Sequence, residues 1–141
     1  MNTPLEKMLS ERPWILADGA TGTNLFNMGL LSGDAPELWN EQHPERIRKL
    51  YQMAVDAGSD LFLTNSFGGN ASRLKLHDQA HRAFHLSKIS AEIGRDVADK
   101  SERDIIVAGS VGPTGDIMQP VGPLSHSDAV EIFREQAEGL K

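Results

Sequence analysis

An acidic residue closes a short apolar run in Trp14-Ile-Leu-Ala-Asp-Gly-Ala-Thr-Gly-Thr-Asn24, and glycines and threonines follow it at once. A buried strand that delivers a carboxylate to the mouth of a ligand site has this pattern. Asp18 offers a fixed negative charge suited to a ligand ammonium. Gly19 and Gly22 let backbone approach a ligand closely, and the N–H groups around them can receive a carboxylate or phosphate. The same residues also fit a plain strand-to-turn junction, because Asp-Gly is common turn punctuation. Two further segments shift that balance. Leu61-Phe-Leu-Thr64 runs into Asn65-Ser-Phe-Gly-Gly-Asn70, and Ile105-Ile-Val-Ala108 runs into Gly109-Ser-Val-Gly-Pro-Thr-Gly-Asp116. Thr64 and Ser66 add hydroxyls and Phe67 a cavity wall. Thr64 also reads as an ordinary β-branched strand residue, and the third segment carries ordinary turn signals.

The elements that must position these residues follow from the apolar periodicity. The three runs begin at residues 14, 61 and 105, and none alternates apolar with polar, so each is expected to be covered on both faces, as in a parallel sheet. Helical patterns lie between them. A leading helix starts at the capping box Thr3-Pro-Leu-Glu6. A short helical piece starts at Asp34-Ala-Pro-Glu37. A long helix follows Pro44, with Ile47, Leu50, Tyr51, Ala54 and Val55 on one stripe and Gly58 as its left-handed cap. A second long helix is expected from about Gln79 to Lys100, and a third starts at Ser125-His-Ser-Asp128. Strand and helix alternate, which predicts right-handed βαβ units and an α/β fold. The third helix lacks a closing signal at Lys141. Residues 1–141 are therefore expected to be the first three β/α units of one (β/α)8 TIM-type barrel, incomplete in this chain and without an internal boundary, since a closed barrel needs about 250 residues. In such sheets ligands lie at the carboxyl ends of the strands, where all three polar segments fall.

Composition narrows the function classes. The net charge of −6 and the scattered basic residues give no footprint for nucleic acid. No apolar run is long enough to span a membrane, and the amino terminus lacks the apolar stretch of a signal peptide. The chain has no cysteine, which fits a reducing cytoplasm, the expected location. His77, His81 and His85 recur every fourth residue and echo a metalloprotease helix, with Asp78 where that motif has glutamate. A solvated helix face explains them better, and no metal site is expected. His43 and His126 read as helix-boundary residues.

Taken together, Asp18-Gly-Ala-Thr-Gly-Thr23, Leu63-Thr-Asn-Ser-Phe-Gly-Gly69 and Gly109-Ser-Val-Gly-Pro-Thr-Gly115, with Ala57-Gly-Ser-Asp60, resemble the homocysteine S-methyltransferase family over nearly the whole chain. That family includes betaine–homocysteine methyltransferase and the amino-terminal module of cobalamin-dependent methionine synthase. The resemblance implies methyl transfer to homocysteine from betaine or another donor such as methyltetrahydrofolate or methylcobalamin, giving methionine. It implies that Asp18 pairs with the homocysteine ammonium, that Gly19 and Thr64 touch its amino-acid end, and that Phe67 lines the pocket between acceptor and donor. It also implies zinc, which lowers the thiol pKa and which the family holds through three later cysteines. Those ligands are absent here, so the chain is expected to be an amino-terminal fragment inactive alone. Gly68 stands where animal betaine enzymes carry tyrosine, which leaves the donor open. Other readings are a small-anion or phosphate-binding module, and a half-barrel subunit completed by a partner chain. Open sheet edges are expected to favour self-association.

Overall fold

Side-chain caps and prolines set several of the helix starts in the computed structural model, which describes residues 3–141. Thr3 and Glu6 form the expected capping box on α1 (Pro4–Glu11), where the Thr3 hydroxyl accepts from the Glu6 N–H and the Glu6 carboxylate accepts from the Thr3 N–H. Proline opens α4 (Pro44–Asp56), which buries Ile47, Leu50, Tyr51 and Val55 and ends before Gly58 at φ +94°. Ser125 caps α7 (His126–Leu140) by accepting from the Asp128 N–H.

One short helix is additional to those expected, one expected piece takes a defined form, and one helix start is corrected. The turn after Asp18 contains a helix, α2 (Thr21–Asn27), and Ala20 ahead of it takes the left-handed conformation at φ 55°, so the tight bend sits on alanine and not on a neighbouring glycine. The short piece near residue 34 is a 3₁₀ turn (Pro36–Leu38) running into α3 (Trp39–Gln42). The second long helix, α6 (Ala83–Asp99), starts four residues later than periodicity suggests. Asp78 at φ 58° breaks the helical path. The segment before α6 becomes α5 (Ala71–Leu74) and two 3₁₀ turns, Lys75–His77 and Ala80–Arg82.

Two strands, β1 (Leu61–Leu63) and β2 (Ile106–Ala108), pair in parallel in the register Leu61 to Ile106, Phe62 to Val107 and Leu63 to Ala108, with α6 in the crossover. The run Trp14–Ala17 reaches this sheet as a single parallel bridge from Ala17 to Leu61 and not as a full strand. Two carboxylates account for its shortness. The next rung of a parallel ladder would use the Leu63 N–H, and Asp18 Oδ2 accepts that donor instead, at 3.1 Å. The preceding rung would use the Leu16 N–H, and Asp60 Oδ2 accepts it at 2.8 Å. Side chains thus end the pairing at both sides of the bridge.

The core lies between the sheet and α4 and α6. Tyr51 stacks on Phe62 with ring centroids 4.8 Å apart, among Leu25, Ile47, Ile93 and Val97. Gly94 lets α6 approach the sheet, since a Cβ there would stand 2.9 Å from Val107 Cγ1 and no flexible chain end is available to yield. Among the described residues no helix is long and apolar enough to cross a membrane.

Asp60 ties the lower end of this sheet. Its buried carboxylate accepts from the Leu16 N–H, pairs with Arg12 at 2.8 Å and faces Arg103 at 3.5 Å. These contacts, led by the Leu16 hydrogen bond, hold its pKa below the ordinary 3.8. Its contribution is therefore present above that value and lost as pH falls through the lowered pKa. Asp60→Asn retains an acceptor for Leu16 but loses the charge. It is predicted to lower stability by about 2 kcal/mol in urea unfolding near neutral pH, and a loss under about 0.5 kcal/mol would contradict this account.

Candidate functional site

The carboxyl ends of β1 and β2 carry polar side chains that are buried, and each must find a partner or cost about 1–3 kcal/mol. The hydroxyls of Thr64 and Ser66 close a ring with the backbone of Ser110. The Ser110 N–H donates to Thr64 Oγ1 at 2.9 Å, Ser66 Oγ donates to the Ser110 carbonyl at 2.8 Å, and the two hydroxyls lie 2.6 Å apart. Because the Ser66 proton is committed to Ser110, Thr64 donates to Ser66. Asn65 and Asn40 exchange amides: Asn40 Nδ2 donates to the Asn65 carbonyl and Asn65 Nδ2 to Asn40 Oδ1, both at 2.9 Å. The Asn65 N–H donates to the Tyr51 hydroxyl at 2.7 Å. Burial pushes that phenol up to about 12, so it stays neutral. From α7, buried Gln136 reaches back to donate to the Ser66 carbonyl at 2.6 Å. Asn70 caps α5 and donates to the Pro113 carbonyl at 3.2 Å.

This network fixes the place of each residue singled out in the sequence. Thr64 and Phe67 line one cavity of about 410 Å³, together with Leu25, Glu37, Gly68 and Ser110. Phe67 is 61% exposed and forms its wall. Thr64 is buried, and both its proton and one lone pair are committed to the ring. Asp18 and Gly19 line a neighbouring depression of about 340 Å³ beside Asn24, Leu50 and Met53. The four residues therefore meet at one end of the sheet but not in one cavity. Asp18 Oδ2 holds the Leu63 N–H, whereas Oδ1 is buried and has no hydrogen-bond partner. A Cβ at Gly19 or Gly22 would meet nothing within 4 Å, so open space lies in front of both.

Sequence reasoning missed Glu37, which it read only as part of a helix start. Its side chain is buried in the 410 Å³ cavity, and its Oε1 accepts from the Gly68 N–H at 2.7 Å. A Cβ at position 68 would stand 3.0–3.3 Å from the Glu37 carboxylate, so glycine at 68 and glutamate at 37 are sterically coupled. Arg73 and His77 line the same cavity. The only sequence signal was an acidic residue directly after Pro36, which a surface helix start would show equally well.

The spacing of His77, His81 and His85 does not survive as one helical face. His77 and His81 end up in separate 3₁₀ turns, and His85 pairs with Glu41 at 3.0 Å. Among the described residues no group of three or more His, Cys, Asp or Glu is placed to hold a metal. The chain contains no thiolate donor either. Its residues thus do not fit the three-cysteine zinc set that the family resemblance implies. A larger groove of about 940 Å³ lies at the opposite end of the strands, where Arg12, Arg95 and Arg103 are already ion-paired.

Comparison with known proteins identifies the relatives of this arrangement. A sequence profile described as homocysteine S-methyltransferase matches residues 15–141. The chain is 32% identical to methionine synthase of Mycobacterium tuberculosis over 99% of its own length and 12% of that protein. It is 31% identical to the homocysteine S-methyltransferase YbgG of Bacillus subtilis, over 97% of the chain and 49% of the relative. Among solved structures, the metallated form of the homocysteine methyltransferase MmuM from Escherichia coli superposes with a TM-score of 0.79. At 24% identity it covers 98% of this chain and 53% of its own. The last likeness speaks for the fold: α/β with a parallel sheet, matching half of a methyltransferase barrel.

Burial raises the Glu37 carboxyl above its usual 4.5. The folded state then keeps its proton to higher pH than the unfolded chain does, so stability falls as pH rises from about 4.5 through the raised value. Glu37→Gln retains an acceptor for Gly68 and does not titrate. The difference in Tm, variant minus wild type, is predicted to grow as pH rises from about 4.5 through the raised value and then to level. A difference independent of pH would refute it.

Proposed function

The chain belongs to the homocysteine S-methyltransferase family, and from that premise we propose that it forms the homocysteine-anchoring part of such an enzyme. It spans 12% of the mycobacterial methionine synthase and about half of YbgG and of MmuM. The proposal therefore concerns the part of the reaction that these residues could perform. The observation that carries it is the unsatisfied Asp18 oxygen. A carboxylate with one oxygen fixed by a backbone N–H and the other without a donor is a ready acceptor for an α-ammonium, and a charge-assisted bond there replaces a buried deficit. That oxygen has no solvent contact, so an ammonium reaches it only when the groups that cover it give way. The amino-acid end then lies in the open space before Gly19, near Thr64, and Phe67 faces the side on which a methyl donor approaches.

The donor is betaine or another methyl carrier such as methyltetrahydrofolate or methylcobalamin, and the product is methionine. Activation of the homocysteine sulfur is assigned to no residue of this chain, because none supplies the thiolate ligands. The isolated chain is accordingly proposed to bind homocysteine without turning it over.

Asp18→Asn provides the test. Asparagine keeps an oxygen for the Leu63 N–H, so the local backbone is retained while the charge is lost. Calorimetric titration with L-homocysteine is predicted to show affinity about tenfold weaker in the variant, a loss of about 1.4 kcal/mol. Equal affinity in variant and wild type would overturn the assignment.

A further inference from the structure

Ser66, Phe67, Gly68 and Gly69 form a turn, closed by the Gly69 N–H donating to the Ser66 carbonyl at 2.9 Å. Both of its ends are fixed. Gln136 donates to the same Ser66 carbonyl, the Ser66 hydroxyl belongs to the ring, and Asn70 beyond the turn caps α5. The peptide between Phe67 and Gly68 is the central one and takes no part in the closing bond. Such a peptide has two orientations, which differ by a half-rotation and leave the ends of the turn in place. One of them needs a left-handed residue at the third position, which glycine supplies without strain. Gly68 occupies that position, so both orientations are open to this backbone. The one observed is the other, with φ at Gly68 outside the left-handed region.

Two contacts from distant segments select it. The Gly68 N–H donates to Glu37 Oε1 at 2.7 Å, and the Phe67 carbonyl accepts from the Gly112 N–H at 2.9 Å. A half-rotation would break both bonds at once and turn the Phe67 carbonyl toward Glu37 Oε1, oxygen against oxygen. The Gly112 contact is close. A Cβ there would stand 2.5 Å from the Phe67 carbonyl oxygen and 2.9 Å from the ring. The orientation of this one peptide therefore sets how Phe67 lies against the third strand-end loop.

We propose that Glu37 is a positioning residue, which accepts from the Gly68 N–H to hold this peptide in one of its two orientations and so fixes Phe67. Without that acceptor the peptide turns over, the Gly112 N–H loses its partner, and the ring loses its seat against the third loop. What a fixed Phe67 does for methyl transfer rests on the homocysteine reading given above. The hold on the peptide stands on the geometry of the turn alone.

Relaxation-dispersion NMR of the backbone amides in the ligand-free chain tests this, because a peptide that turns over on the μs–ms scale broadens its own resonance and its partner's. The wild type is expected to show no such exchange at Gly68 or Gly112. Glu37→Met fills a similar volume without an acceptor. In it the turned-over form is expected to gain about tenfold in population, seen as exchange or displaced resonances at Gly68 and Gly112 while α4 and α6 keep theirs. Glu37→Gln keeps the acceptor and is expected to behave as wild type. Adding Gly68→Ala to Glu37→Met is expected to abolish the effect, because alanine disfavours the left-handed form of the turn. A merely structural role for Glu37 gives no such rescue. Unchanged Gly68 and Gly112 in Glu37→Met would overturn the proposal. So would exchange that persists in the double variant, or exchange equally strong in wild type or Glu37→Gln. Should Glu37→Met not fold, Gly112→Ala probes the other hold, since its Cβ must displace the Phe67 carbonyl. A Gly68 amide unmoved by that variant would also overturn the proposal. No ligand enters the measurement, so its failure leaves the Asp18 titration standing, and a failed titration leaves this result standing.

Discussion

The closed ring of hydrogen bonds among Thr64, Ser66 and Ser110 is the constraint on which the rest of this end of the molecule depends. Where β1 ends, the ladder stops, but the chain is still buried through Thr64, Asn65 and Ser66. Polar groups there have no water to turn to, so side chains from distant segments must serve them. Asn40 arrives from α3, Tyr51 from α4 and Gln136 from α7, and each meets a residue of the loop after β1. One short loop thereby sets the mutual position of three helices and of the loop after β2. The arrangement also decides which groups remain available. Thr64 spends its hydroxyl within the ring, while the Phe67 ring and one Asp18 oxygen are left over, and those are the groups with work still to do.

Much of the fold was legible in local chemistry. The capping box at Thr3, the proline at 44, the left-handed Gly58 and the Ser125 cap all act within a few residues of sequence, and each boundary falls where that chemistry puts it. The departures have long-range causes. The first apolar run looked like a strand equal to the others, yet its pairing is cut short by the carboxylates of Asp18 and Asp60, which take N–H donors about 45 residues away in sequence. The early part of the second long helix is broken by a left-handed Asp78, a conformation that aspartate tolerates and that apolar periodicity does not reveal.

The site was legible in part for a related reason. Glycine, hydroxyl and amide residues cluster at three strand ends, so the candidate end of the sheet could be read without coordinates. The division of labour within it could not be. Asp18 and Phe67 belong to adjoining hollows and not to one, and Glu37 enters from a helix start that gives no hint of burial. A side chain at position 68 would require the Glu37 carboxylate to shift by a few tenths of an ångström. Family membership agrees with the motif reading, and the chain carries no cysteine that could supply the zinc ligands the resemblance implies.

The central claim is that the amino-acid end of homocysteine is held at Asp18. The Leu63 N–H reports on it directly, because that donor is bound to the Asp18 carboxylate. An amide-resolved NMR titration with L-homocysteine is predicted to shift the Leu63 resonance together with those of Gly19 to Thr23, while the amides of α1 at the opposite end stay in place. Shifts confined to the surroundings of Arg73 and His77, or no saturable shift at Leu63, would contradict the account.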